Sequence, residues 1–160
     1  MTPRTAAFGL AALTIAGLVI GAMITVRPSM ALLPAAEGVK LGSAVLTWIV
    51  AAAGGRPLLA RLAAVLMGLA ALAGFGAIAA ESHAIGALVT PLALASLVAV
   101  AAWGIGVARG AGSPLGTGLA ALLLITAIAT WFLPPAGLLA ALTGIAWWAV
   151  FALRIGRARA

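Results

Sequence analysis

Apolar runs about as long as a membrane is thick, broken by single charges, prolines and short polar turns, repeat along the whole chain. A helix needs about 20 apolar residues to cross the hydrocarbon, with a range of roughly 17 to 25. Six stretches meet that length or come near it: 5–26, 38–54, 62–80, 85–108, 115–133 and 136–153. The punctuation between them is Arg27-Pro28, Arg56 to Arg61, Glu81-Ser82-His83, Arg109 with a Gly-Ala-Gly-Ser-Pro turn, and Pro134-Pro135. No run alternates with period two, and in lipid every backbone amide must be bonded within its own segment, so the runs predict helices and not barrel strands. The expected fold is all-α and integral to a membrane. Six transmembrane helices form one domain over residues 1–160. The second run is the shortest, with Lys40 just inside its start and able to snorkel to the headgroups, so the competing count is five.

Charge decides between the two counts. With six spans, Arg4, Arg56, Arg61, Arg109, Arg154, Arg157 and Arg159 share one side, and Arg27, Lys40, Glu37, Glu81 and His83 share the other. Seven basic residues against two is a positive-inside signal that places both termini in the cytoplasm; a five-span chain distributes its charges poorly. The localisation expected is a bacterial inner membrane, N-in and C-in. The first run, at 22 residues, exceeds the apolar core of about 7 to 15 expected of a secretory signal and is read as a retained helix. Thr2 excludes myristoylation and the lack of cysteine excludes acylation or prenylation on sulfur.

The sequence Gly-Leu-Ala-Ala-Leu begins at Gly9, Gly68 and Gly118, each time early in an odd-numbered span. Each even span carries tryptophan one to two turns before an arginine: Trp48 before Arg56, Trp103 before Arg109, and Trp147 and Trp148 before Arg154. Indoles at that place are expected at the membrane interface. The two patterns together predict three helical-hairpin repeats, 5–54, 61–109 and 115–154, followed by a basic tail over 154–160. In the three pentapeptides and the prolines of the outer turns, Arg27-Pro28 and Pro134-Pro135, the chain resembles the HdeD-type acid-resistance membrane proteins. The middle turn, Glu81-Ser82-His83, lacks proline and departs from that pattern. The resemblance implies a bacterial inner-membrane protein connected with stress or acid tolerance, and it brings no catalytic residues.

Composition narrows the chemistry. Of the 160 residues 66% are hydrophobic and 7% charged, where a soluble domain carries about a quarter charged residues. There is no Asp, Asn, Gln, Tyr or Cys, and Glu37 and Glu81 are the only acids. Thiol chemistry, disulfides and an Asp-dependent serine triad are thereby excluded, and one histidine is too few for a haem held from both sides. The net charge of +7 is spread singly between apolar blocks, which speaks for topology and against nucleic acid. Neither cofactor nor metal is expected.

Glu81 and His83 form the one cluster with proton-handling chemistry, although a short outer turn exposes polar residues to water in any case. Gly17 with Gly21, and Ala70 with Gly74, have the spacing that lets helix backbones approach closely, within the chain or between copies. Pro91 is the candidate helix break, and the Ser and Thr hydroxyls are expected to bond helix carbonyls. The function expected is a non-enzymatic small inner-membrane protein, stress-related or accessory, whose partners are membrane lipids and other transmembrane proteins or itself. A small-solute transporter or its substrate-binding subunit is the first rival, since broken helices line transport sites, but it requires a polar cavity reaching mid-bilayer. A lipid-acting enzyme lacks the polar residue types it needs. A structural subunit of a respiratory or photosynthetic complex remains as a further rival.

Overall fold

A computed structural model of the chain describes residues 1–52 and 57–155. It is helical, in the order α1 Pro3–Val26, a 3-10 turn Met30–Leu32 leading into α2 Leu33–Ala51, α3 Pro57–Ala80, a one-turn helix α4 His83–Gly86, α5 Val89–Gly110, α6 Pro114–Thr130 and α7 Ala136–Val150, which continues as a π-turn over Phe151–Ile155. Helix starts follow local chemistry. Thr2 accepts from Thr5 N at 3.2 Å ahead of Pro3, and Ser113 accepts from Gly116 N at 3.2 Å ahead of Pro114. In each pair a hydroxyl caps an orphan amide, and a proline follows where no amide hydrogen is needed.

Consecutive long helices pack side by side and α1 also packs on α7, closing a ring. Neighbours run antiparallel. Gly9, Gly17 and Gly42 of α1 and α2 face Leu46, Val39 and Leu13 respectively, and the Ser96 hydroxyl of α5 donates to the Ala63 carbonyl of α3 at 2.7 Å. The inner faces are built mostly from small residues: 16 of the 25 buried hydrophobic residues among those described are alanine. Among the large aliphatic residues, exposed ones far outnumber buried ones, while Trp103, Trp147 and Phe151 stay inside. On α3, Leu58, Leu62, Val65, Leu69 and Leu72 form an exposed stripe with steps of four and three, while Ala60, Ala63, Ala70, Ala71 and Gly74 are buried. The helix is thus two-faced in side-chain size and not in polarity. That is a workable division where apolar solvent surrounds the bundle and helices associate by close packing.

Four helices or helix pairs with their connecting turns (Pro3–Val26, Met30–Ala51, Pro57–Ala80 and His83–Gly110) have the length and hydropathy to cross a membrane, as does Ala136–Leu153. The sixth, α6, has 17 residues and rises about 26 Å, a little under the hydrocarbon thickness. The short member is therefore α6 and not the second helix singled out by sequence. Trp131 and Phe132 leave the helix in a turn before Pro134, whereas Pro34 sits in the first turn of α2 and lets it begin well before residue 38.

Aromatic residues correct a second expectation. Trp103, Trp147 and Trp148 lie in the core, stacked with Phe151 at centroid separations of 5.6 to 6.4 Å, and only Trp48 of the four named indoles is half exposed. Gly104 makes room for the cluster: a Cβ there would stand 2.9 Å from Trp147 Cζ2 and 3.3 Å from Ala120 Cβ. The indole N–H groups of Trp103 and Trp147 are buried without an acceptor among the described residues, so packing and not hydrogen bonding holds them. The three pentapeptides also differ in surroundings. Gly9 sits tightly on Leu46, Gly68 loosely on Ala44, and Gly118 has nothing within 4 Å.

A side chain at Gly17 would touch Val39 across the α1–α2 seam, but one at Gly21 would meet nothing within 4 Å among the described residues. The two glycines give a paired test. Gly104→Ala is expected to lower thermal stability in detergent, because overpacking a filled core costs about 1–3 kcal/mol, more than the gain of about 1 kcal/mol in helix propensity. Gly21→Ala retains that gain without the clash and is expected to match or exceed the parent. Equal melting of the two variants would contradict this packing.

Candidate functional site

The bundle holds its charge pair at the end opposite the N-terminus. Glu37 and Lys40 lie three residues apart on α2, and Lys40 Nζ donates to both carboxylate oxygens of Glu37, at 2.6 and 2.8 Å. Glu37 is 7% exposed. It stands about 6 Å along α2 from the start of that helix, and Lys40 about 10 Å. This corrects the placement of Glu37 in an outer loop: the carboxylate is part of a helix and is packed against its neighbour. Gly74 of α3 explains how. A side chain at Gly74 would overlap the Glu37 carboxylate, so the bare α3 backbone is what admits it. Ala70, one turn away on the same face, is fully buried.

Burying a lone carboxylate is prohibitive; burying a paired one is tolerable when its oxygens are bonded. Lys40 supplies that pairing, and its long stem reaches the partner from one turn deeper. The pairing also occupies the lysine. Among the described residues no hydroxyl bonds Lys40 Nζ, so a Ser–Lys nucleophile does not form there.

One turn above the pair is a groove of about 520 Å³, lined by Met30, Leu33, Ala77, Ile78, Glu81, Ser82, His83 and Gly86. Leu33 precedes Glu37 by one turn of α2, and Ile78 follows Gly74 by one turn of α3. The structure thus gathers Glu81 and His83 on a groove one helical turn from Glu37, which does not itself line it. Both side chains are exposed. Their turn has a clear structural task. Glu81 takes a left-handed backbone, φ 49°, and the Ser82 amide donates back to the Ala77 carbonyl at 3.0 Å, ending α3 in a Schellman-type turn. The α5–α6 turn has the same bond, Ser113 N to Ala108 O at 2.9 Å, with Gly112 at φ 62° in the equivalent place. Glu81 therefore occupies a position that glycine adopts without cost, against roughly 1–2 kcal/mol for other residues. Ser82 then caps α4 by accepting from Ile85 N at 3.4 Å.

Pro91 lies in the first turn of α5, and the helical path is interrupted at Ala87 and Leu88. Proline has no N–H to donate to the carbonyl four residues back, which here is Ala87. The hydroxyls act locally. Thr14, Thr25, Thr117, Thr126 and Thr130 bond carbonyls of their own helix segment, and among the described hydroxyls Ser96 alone ties two long helices together.

In sequence, Glu37 and Lys40 look like separate outer-side charges, and the pair emerges only in the structure. The available signal was an acid and a base at i,i+3 just after Pro34, a spacing that places them on one helix face. No known protein family, curated protein or solved structure matches the chain.

The pair predicts a non-additive mutant cycle. Lys40→Met strands the carboxylate and is expected to destabilise by about 1–3 kcal/mol. Glu37→Gln together with Lys40→Met is expected to recover most of the loss, because removing both charges removes the desolvation problem. His83→Ala, at an exposed site, is expected to leave the melting temperature unchanged. Additive losses at Glu37 and Lys40 would contradict a coupled buried pair.

Proposed function

We propose that the chain is a non-enzymatic multi-pass protein of a bacterial inner membrane, a stress-related or accessory component that acts through the outer surfaces of its helices. The observation that carries this reading is the filling of the ring. Trp103, Trp147, Phe151 and Leu123 are fully buried in its interior, and the grooves between helices open on the outside. A component of this kind offers surface to lipid and to other transmembrane helices. The likeness to HdeD-type proteins and the three-hairpin repeat belong to the same proposal and rest on the sequence pattern.

Charge placement supports both termini being cytoplasmic. Seven arginines follow or precede helix ends on one side by their place in the sequence. On the other side only Arg27 and Lys40 are basic, and this excess of arginine on one side is the asymmetry that orients membrane proteins.

The buried Glu37–Lys40 pair one helical turn from a groove favours a second reading, a small-solute transporter or its substrate-binding subunit, because ionisable groups within a membrane helix mark substrate and ion paths. Purification from the native membrane in mild detergent, with mass spectrometry of everything that accompanies the chain, separates the two. The accessory reading expects a stoichiometric membrane-protein partner. A chain isolated alone with a polar solute that Glu37→Gln releases would replace it with the transport reading.

A further inference from the structure

On the outer surface between α2 and α3, toward the arginine-rich end, is a second groove, of about 310 Å³, lined by Ala44, Val45, Trp48, Ile49, Ala64 and Val65. Its floor is the two small residues, Ala44 and Ala64, both buried, and its walls are the half-exposed Val45, Trp48 and Val65. The lining is hydrocarbon apart from the indole. Arg61, one turn before Val65 on α3, stands at the open end with its guanidinium 5.5 Å from the centre of the Trp48 ring.

Arg61 has no acid of the chain's side chains within reach. Glu37 is held by Lys40, and Glu81 lies twenty residues further along α3 and its following turn, about 30 Å away. The Trp48 ring holds the Arg61 guanidinium by a cation–π contact, and its N–H groups, bonded to no side chain among the described residues, can take an anion in the bidentate way phosphate oxygens favour. Arg61 is in the second turn of α3, and the apolar groove runs from it along α2 and α3 toward the middle of the bundle.

We infer that the α2–α3 groove binds an anionic glycerophospholipid, with one acyl chain seated over Ala44 and Ala64 and the phosphodiester on Arg61. Charge complementarity selects the headgroup: a zwitterionic lipid brings an ammonium group into a neighbourhood that already has an uncompensated cation. One cationic side chain near the surface is worth about a fivefold preference for anionic over zwitterionic lipid. The inference rests on the helices spanning a bilayer, and its test separates the two claims.

The full-length protein is placed in nanodiscs of phosphatidylcholine with equal mole fractions of brominated phosphatidylglycerol or brominated phosphatidylcholine, and tryptophan quenching is measured. The expected result is an excess of quenching by the anionic lipid, with an apparent preference of about fivefold, that vanishes in Arg61→Gln and in Trp48→Phe and persists in added inorganic phosphate. Trp48→Phe tests the site with Arg61 intact: an anionic excess that survives it lies elsewhere and overturns the assignment. Equal quenching by the two lipids overturns the lipid site and leaves the membrane reading standing. No quenching by either lipid overturns both. Displacement by millimolar inorganic phosphate would assign the site to a free anion and overturn the lipid as ligand.

Discussion

Close approach of small-residue helix faces is the constraint on which the structure depends. A chain with two acids and nine bases cannot sort inside from outside by polarity, because nearly every position is apolar. It sorts by size. Alanine and glycine line most of the seams, and many leucines, isoleucines and valines project outward, while an aromatic cluster fills one end of the ring. Where the surroundings are as apolar as the side chains, burial of hydrocarbon gives no net drive, so contact between well-matched backbones must supply the association. The Ser96–Ala63 hydrogen bond and the aromatic cluster beside Gly104 fix particular seams within that general scheme.

The same constraint explains the charge pair. Gly74 allows α3 to lie so close to α2 that a carboxylate fills the space a side chain would take. Lys40 makes that tolerable by giving Glu37 two hydrogen bonds within its own helix. The small-residue seam thus does two things at once: it packs two helices and it shelters an ion pair at one end of the bundle. At the other end, Trp48 and Arg61 border a groove in the same seam, where charge is left without a partner from the chain's own side chains. The α2–α3 interface therefore carries charged side chains near both of its ends, one compensated and one not.

Much of the fold was legible from the sequence because span length and turn chemistry are local. The breaks placed at Arg27-Pro28, at Glu81-Ser82-His83 and at Pro134-Pro135 fall between the long helices in the structure. The direction of the tryptophans was not legible. An indole before an arginine suits either an interface or a core, and only Gly104 and Ala120 across the seam make the core site for Trp147. Glu37 was hidden for a similar reason. Its burial depends on Gly74, thirty-seven residues away, and no property of residues 33–40 announces that partner. Glu81 and His83 were visible as a polar turn, but the left-handed backbone at Glu81 shows that the turn also ends a helix, a task composition does not reveal.

On α3 the large apolar residues face lipid and the small ones face the ring. The absence of cysteine from the sequence makes spin labelling straightforward. Single cysteines placed along α3 in bilayers, with labels read for oxygen accessibility, test it most directly. The account predicts maxima at Leu62→Cys, Val65→Cys, Leu69→Cys and Leu72→Cys and minima at Ala63→Cys, Ala70→Cys and Ala71→Cys. A flat profile, or maxima on the alanine face, would contradict it.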